Sequence, residues 1–247
     1  MTRALLVVLP AVACAWQNVV NLPASSDRVT GSAAARRFLL LHGAGTTAEA
    51  FVNSPTASGA KDFLLGLPPR RRDPNPWCYT ALDAGSADGT WYDDQDGWTG
   101  LDKAIEAVEE AVEAEQMAGI VGHEQGGLVA ALVAARASLG VGPRCLQFAV
   151  ISGAAMPHEE SRWAELLTEL RDATEAPSVR TLHCLSESNP INSAELGAAL
   201  ADCFGPSAEI LWHDRGKAMP GRSWWKETNG FLDRAVGRKE YVAGMYG

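Results

Sequence analysis

The residues of this sequence most suggestive of chemistry lie in the segment Gly119–Gly127, which reads GIVGHEQGG. A short apolar run leads into a turn between Gly122 and Gly126, and an apolar helical pattern follows. This strand–turn–helix pattern is typical of a nucleophile elbow, in which glycines permit a sharp turn that exposes one reactive side chain, usually serine. The exposed position here is Glu124, which has a carboxylate and no hydroxyl that could be acylated.

A second candidate segment precedes the elbow and reads FLLLHGAG over Phe38–Gly45. A strand that ends in His-Gly at this place is typical of a loop whose backbone N–H binds a developing oxyanion. The backbone N–H groups of Ala44 and Gln125 are therefore the predicted oxyanion donors around Glu124. The predicted pocket consists of His42, Gly43, Ala44, His123 and Gln125.

The elements that would position these residues alternate between strand-like and helix-like patterns from Arg37 onward. This alternation predicts an α/β fold with a mainly parallel central sheet and helices on both faces. Leu101–Glu115 has the spacing of an amphipathic helix, and Gly126–Leu139 is apolar nearly all round, which predicts a buried helix. The predicted strands are Arg37–Leu41, Trp77–Leu82, Gly119–Gly122, Leu146–Ser152, Val179–Leu185 and Ala208–Trp212.

The stretch from about Arg37 to Trp225 resembles the family of serine hydrolases that includes the ovarian-cancer-gene-2-like esterases. The order and spacing of several pieces carry the resemblance: LLLHGAG, the Trp91-Tyr92 pair, GWTGLDKAIEAVEEAV before GIVGHEQGG, then FAVISGAAMP, LHCLSESNP and WHDRGKAMP. The resemblance implies the α/β-hydrolase fold and, where the family motif is intact, the hydrolysis of carboxylic esters by a Ser-Asp-His triad.

The three triad positions implied by the resemblance hold Glu124, Asn189 and Lys217 in this sequence. Asparagine cannot orient an imidazole as a carboxylate does, and lysine at its ordinary pKa is protonated and is no general base. The sequence therefore predicts a catalytically degenerate protein that binds a ligand or serves as a subunit. The alternative is a hydrolase that uses Glu124, either esterase-like or with a carboxylate nucleophile as in epoxide and haloalkane hydrolysis. His123 and His213 are then the candidate bases.

A further expectation concerns the charges at these positions. An unpaired buried carboxylate costs several kcal/mol, so Glu124 and Lys217 are predicted to form an ion pair within about 4 Å. The N–H groups of Ala44 and Gln125 are predicted to donate to the same carboxylate. The opposing expectation is that Glu124 points to solvent and Lys217 covers the surface.

Composition restricts the partners and cofactors. A net charge of −9 over 247 residues argues against nucleic acid as the main partner, so an unidentified small molecule or protein is expected. The five cysteines form no CxxC pair and have no zinc-ligand spacing, so neither a metal nor another cofactor is predicted.

The amino-terminal residues read as a targeting segment. Residues 1–15 hold an apolar run that ends in Ala13-Cys14-Ala15, which predicts a cleaved signal peptide and a mature chain that begins at or near Trp16. Residues 16–36 are a transit-like or disordered leader, which is Ser- and Arg-containing and poor in acids. Together they resemble the bipartite leaders of algal secondary plastids. The alternatives are secretion or an endomembrane lumen, and a short buried strand in place of the signal peptide.

The predicted organisation is completed by an α/β-hydrolase domain over residues 37–235 and a tail over residues 236–247. No segment after the signal peptide has the roughly 20 consecutive apolar residues that a membrane span requires, so no integral membrane segment is expected in the mature chain.

Overall fold

The computed structural model describes residues 36–53, 77–93 and 97–236. Its strands are β1 (Arg36–Leu41), β2 (Trp77–Leu82), β3 (Gly119–His123), β4 (Phe148–Ser152), β5 (Arg180–Leu185) and β6 (Ala208–Trp212). Its helices are α1 (Ala48–Asn53), α2 (Leu101–Ala114), α3 (Gln125–Ser138), α4 (Arg162–Asp172), α5 (Ala194–Asp202) and α6 (Trp225–Ala235), with 3₁₀ turns at Gly205–Ser207 and Arg222–Trp224. The strands form one parallel sheet in the order β2-β1-β3-β4-β5-β6.

Both faces of the sheet are buried, because alternate residues of each central strand enter different cores. Leu39 and Ile120 face the core formed with α2, α3, α4 and α5, whereas Leu40 and Val121 face the core formed with α1 and α6. This explains why the strands read as continuous apolar runs. Every residue of α3 from Gly126 to Ala135 is buried, as the apolar composition of that segment predicts.

The chain reverses its direction across the sheet at one place. From β1 the chain first adds β2 on one side, and β3 then pairs with the other side of β1. The carboxyl ends of β1 and β3 therefore border a crevice at a topological switch point, where ligand sites of open α/β sheets lie. The predicted pocket loop and the elbow follow β1 and β3 directly.

The predicted architecture is confirmed, and the boundaries of each predicted strand and helix agree with the structure to within two residues. The leader over residues 1–35 and the tail beyond residue 236 lie outside the described residues, so their predicted roles stay predictions. None of the described helices is long and apolar enough to cross a membrane. The described part of the chain holds no cluster of His, Cys, Asp and Glu that could bind a metal ion.

His183 on β5 makes the fold sensitive to acid. The ring is fully buried, its Nε2 lies 3.1 Å from Thr181 Oγ1, and burial lowers the pKa of His183 to about 3. The unfolded chain takes up this proton near pH 6.5, so stability falls as the pH drops from 6.5 toward 3. We expect His183→Gln to remove about 2 kcal/mol of the stability loss between pH 6.5 and pH 5.

Urea unfolding of wild type and variant at the two pH values measures this difference. His158 is exposed, and His158→Gln supplies the control for the loss of one imidazole at the surface. Equal pH dependence in wild type and His183→Gln would contradict the assignment.

Candidate functional site

The elbow between β3 and α3 keeps a strained backbone although it lacks serine. Glu124 has φ 49° and ψ −115°, a conformation that side-chain-bearing residues rarely adopt. Its backbone N–H donates to the carbonyl of Ser152 at 2.8 Å, which ties the elbow to β4. A Cβ on Gly122 would lie 2.1 Å from the carbonyl oxygen of Gly126, so the turn is closed by direct backbone packing.

The three positions implied by the family resemblance meet beside Gly153. A Cβ on Gly153 would lie 3.4 Å from Asn189 Nδ2, 3.9 Å from Glu124 Cγ and 4.0 Å from the carbonyl oxygen of Lys217. These residues belong to the loops that follow β5, β3 and β6, so the sheet gathers them from distant parts of the sequence. The structure thus brings positions 124, 189 and 217 together around Gly153.

The Asn189 side chain makes its hydrogen bonds within its own loop. Its Oδ1 accepts hydrogen bonds from the backbone N–H groups of Ile191 at 3.0 Å and Asn192 at 3.3 Å. The side chain of Asn192 in turn donates to the carbonyl of Gly153 at 2.6 Å. Asn189 therefore shapes the loop after β5 and has no carboxylate with which to orient a base.

The Glu124 carboxylate lies against the loop that follows β1. Glu124 Oε2 is 2.5 Å from the place that a Cβ on Gly43 would occupy, so the carboxylate takes the space that a side chain at position 43 would need. Glu124 Oε1 is buried and accepts no hydrogen bond from the described residues, and the side chain is 18% exposed. Burial raises the pKa of Glu124, and the positive charge of Lys217 opposes that rise.

The predicted contact ion pair between Glu124 and Lys217 is wrong. Among the described residues, no ion pair within 4.0 Å joins the two side chains, although Lys217 is near enough to influence the pKa of Glu124. The physical reason is that Glu124 turns toward Gly43, while the Lys217 side chain is exposed and keeps its hydration. The predicted donation from Ala44 and Gln125 is not found either. Within the described residues neither N–H donates to the Glu124 carboxylate, and Glu124 Oε1 has no donor at all.

Two histidines lie near the elbow, and burial lowers the pKa of both. His123 Nε2 lies 4.0 Å from Glu124 Oε2, and burial, with Lys217 and His213 nearby, lowers the pKa of His123 to about 4. Burial likewise lowers the pKa of His213, whose Nδ1 accepts the backbone N–H of Arg215 at 3.2 Å. Within the described ranges neither imidazole ring forms a hydrogen bond with Glu124. The two candidate bases therefore lie near the elbow without contacting its carboxylate through a hydrogen bond.

His42 fixes the conformation of the loop after β1. The backbone N–H of Ala84 donates to His42 Nε2 at 3.1 Å, so Nδ1 carries the hydrogen and donates to the carbonyl of Gly43 at 2.7 Å. Burial lowers the pKa of His42, which keeps this neutral tautomer. Both ring nitrogens are thus committed to backbone, and His42 shapes the pocket.

The Gln125 side chain has a role that the sequence did not indicate. Its Oε1 accepts the backbone N–H of Trp91 at 3.0 Å, and its Nε2 donates to the carbonyl of Tyr92 at 3.0 Å. Trp91 Nε1 then donates to the carbonyl of His42 at 2.8 Å. The Trp91-Tyr92 pair in the sequence was the available signal for this link between the elbow and the His42 loop.

Comparison with known proteins agrees with this geometry. The sequence profile of the family described as serine hydrolase (FSH1) matches residues 70–228, which is more than half of the chain. The chain belongs to the serine hydrolase (FSH1) family. The match begins after the His42 loop. The position of that loop beside the elbow of this serine hydrolase family member is therefore known from the structure and not from the family match. No curated protein sequence matches the chain.

Solved structures similar to this serine hydrolase family member show the same fold. Acyl-protein thioesterase 2 of Zea mays has 15% identity and a TM-score of 0.61, with 85% of this chain and 97% of that chain covered. A carboxylesterase of Bacillus cereus has 13% identity and a TM-score of 0.57, with 81% and 88% covered. SOBER1 of Arabidopsis thaliana has 13% identity and a TM-score of 0.55, with 81% and 99% covered.

The strain at Glu124 in this serine hydrolase family member predicts that a glycine variant is more stable than an alanine variant, the reverse of the usual order. Glycine adopts φ 49° and ψ −115° without steric cost, whereas alanine does not. We expect Glu124→Gly to be about 1 kcal/mol more stable than Glu124→Ala, although glycine raises the entropy of the unfolded chain. Urea unfolding of both variants measures this difference. An alanine variant at least as stable as the glycine variant would show that the elbow is unstrained.

Proposed function

We propose that this member of the serine hydrolase family is catalytically degenerate and acts by binding a small molecule or a protein partner. The observation that carries the proposal is the Glu124 carboxylate, which occupies the elbow and presses against Gly43, with Asn189 and Lys217 at the remaining triad positions. The thioesterase and carboxylesterase activities named for the similar structures are activities of those proteins, and likeness of fold does not transfer them.

Two physical arguments support loss of ester hydrolysis. Glu124 offers no hydroxyl, and losing the nucleophile of a triad typically costs several orders of magnitude in rate. In addition, an ester carbonyl entering beside Gly43 would meet the Glu124 carboxylate, whose negative charge repels the oxyanion that forms during hydrolysis. The missing hydroxyl and the repulsive carboxylate therefore both lower the rate of ester hydrolysis.

A serine-directed fluorophosphonate probe and a short acyl ester test this proposal. We expect the wild-type chain neither to be labelled nor to hydrolyse the ester above the level of Glu124→Gln, which keeps the shape and removes the charge. Labelling of any serine would overturn the proposal. Hydrolysis by wild type that is lost in Glu124→Gln would instead support the alternative hydrolase that uses Glu124.

We also propose that the chain works in a plastid, on the composition of residues 1–36. N-terminal sequencing of the protein from its source tests this, since processing near Trp16 alone indicates the endomembrane lumen or secretion.

A further inference from the structure

The outer edge of β6 is an unpartnered strand with exposed apolar side chains. β6 pairs with β5 on one side, and no strand of the described ranges pairs with its other side. Ile210 is 41% exposed and Trp212 is 50% exposed, whereas Leu211 between them is buried. An exposed apolar edge strand is a template for pairing with another strand.

The direction of the backbone groups on β6 follows from one hydrogen bond. The N–H of His213 donates to the carbonyl of Leu185 at 2.9 Å, so the backbone groups of His213 point toward β5. Backbone direction alternates along a strand, so Leu211 and Glu209 also point toward β5. The N–H and C=O groups of Ala208, Ile210 and Trp212 therefore point outward, and their side chains share one face of the sheet.

Two residue types that keep edge strands apart, proline and lysine, are missing from β6. Its five residues are AEILW, with no proline and no lysine. The one charge belongs to Glu209, which lies within ion-pair distance of Arg234 (2.5 Å) and Arg180 (3.6 Å). A second copy of this acidic chain would therefore meet no uncompensated like charge along β6.

Topology argues against the carboxyl-terminal residues of the same chain as the occupant. The connections from β3 to β6 advance across the sheet with α3, α4 and α5 on one face, whereas α6 packs on the other face. A parallel strand added beyond β6 after α6 would therefore require a crossover of the opposite hand. About 98% of such crossovers are right-handed, so residues 237–247, which lie outside the described residues, are a poor candidate.

We propose that the β6 edge binds a second copy of this chain as an antiparallel strand about a two-fold axis at Ile210. Ile210 then exchanges both of its outward hydrogen bonds with Ile210 of the partner subunit. Ala208 is paired with Trp212 of the partner subunit, and Trp212 with the partner's Ala208.

This register is self-complementary in shape as well as in hydrogen bonding. The large Trp212 ring lies opposite the small side chain of the partner subunit's Ala208, so the two sides fit without a clash of bulky groups. The contact is isologous, as closed dimers require, and it joins the two sheets into one. A shift by one residue would place inward-pointing backbone groups at the edge and lose these bonds.

Sedimentation velocity of the full chain over a wide range of concentrations tests the proposal. We expect a reversible dimer whose dissociation constant rises at least about tenfold in Ile210→Lys, because the two-fold axis places the two new charges directly opposite each other. Ile210→Pro removes the outward N–H without removing a hydrogen bond to β5, and it should weaken the dimer as well. Val141→Lys, at a residue 60% exposed elsewhere on the surface, should leave the dimer unchanged.

Circular dichroism of each variant separates loss of the dimer from loss of the fold. A chain that ends at Val236 is expected to dimerise as the full chain does. A dimer unaffected by both Ile210 variants would overturn the proposal. A full-length chain that stays monomeric would also overturn it. A dimer that forms only after removal of residues 237–247 would identify those residues as the occupant of the β6 edge.

Discussion

The triple variant Glu124→Ser, Asn189→Asp, Lys217→His is expected to become reactive toward fluorophosphonate and to hydrolyse a short acyl ester at least about 100-fold faster than wild type. The reason is geometric, because all three positions already meet around Gly153, within 4.0 Å of a Cβ placed there. Serine at position 124 also removes the carboxylate that lies against Gly43, which opens the place of the oxyanion.

The measurement is labelling and ester turnover as functions of pH. Turnover by the triple variant should rise as an imidazole loses its proton near pH 6.5, because histidine acts as the base only when neutral. The matched control carries Glu124→Ser and Asn189→Asp with Lys217→Gln, and it is expected to lack this pH-dependent turnover because no imidazole stands at position 217.

A folded triple variant without labelling or turnover would count against the arrangement of the site as described. The loops after β5 and β6 would then not bring positions 189 and 217 to the elbow. Urea unfolding of the triple variant shows whether a negative result reflects a misplaced triad or loss of the fold.

The second large effect is expected from a single methyl group at the elbow. Gly122→Ala places a Cβ 2.1 Å from the carbonyl oxygen of Gly126, 2.6 Å from its carbonyl carbon and 2.8 Å from Gly127 Cα. All of these are backbone atoms, so β3 and α3 must separate to relieve the clash. We expect a loss of about 4 kcal/mol or more in the free energy of unfolding, which is at the extreme of single substitutions.

Gly85→Ala supplies the matched control for this effect. A Cβ on Gly85 meets no atom within 4 Å, so its substitution should change the free energy of unfolding by less than about 0.5 kcal/mol. Thermal or urea unfolding of both variants gives the comparison. Equal stability of Gly122→Ala and wild type would mean that the elbow is looser than its backbone packing indicates.

Local patterns in the sequence were sufficient to predict the elements and the loop that each site residue occupies. The apolar runs of β3 and β4 are continuous because both faces of the sheet are covered, and this pattern does not depend on distant residues. The glycines around Glu124 likewise predict the sharp turn from local sterics. Convergence of Glu124, Asn189 and Lys217 was predictable only through the family resemblance.

Side-chain directions within the site were decided by tertiary structure. The opposite charges at positions 124 and 217 suggested an ion pair. The elbow instead directs the Glu124 carboxylate into the space beside Gly43, where the neighbouring backbone leaves room. The lysine, on an exposed loop, retains water. Charge pattern is a weak guide here because an exposed ion pair gains little over hydration.

The sequence by itself determined that Glu124, which has no hydroxyl, stands between the glycines of an elbow pattern, since the identity of a side chain can be read from one residue. Only the tertiary structure decided that the half-buried Glu124 carboxylate lies between neutral His123 and Gly43. It also decided that β6 is left unpaired at the sheet edge of the described chain. Burial, proximity and strand order are properties of residues far apart in the chain, and no local pattern encodes them.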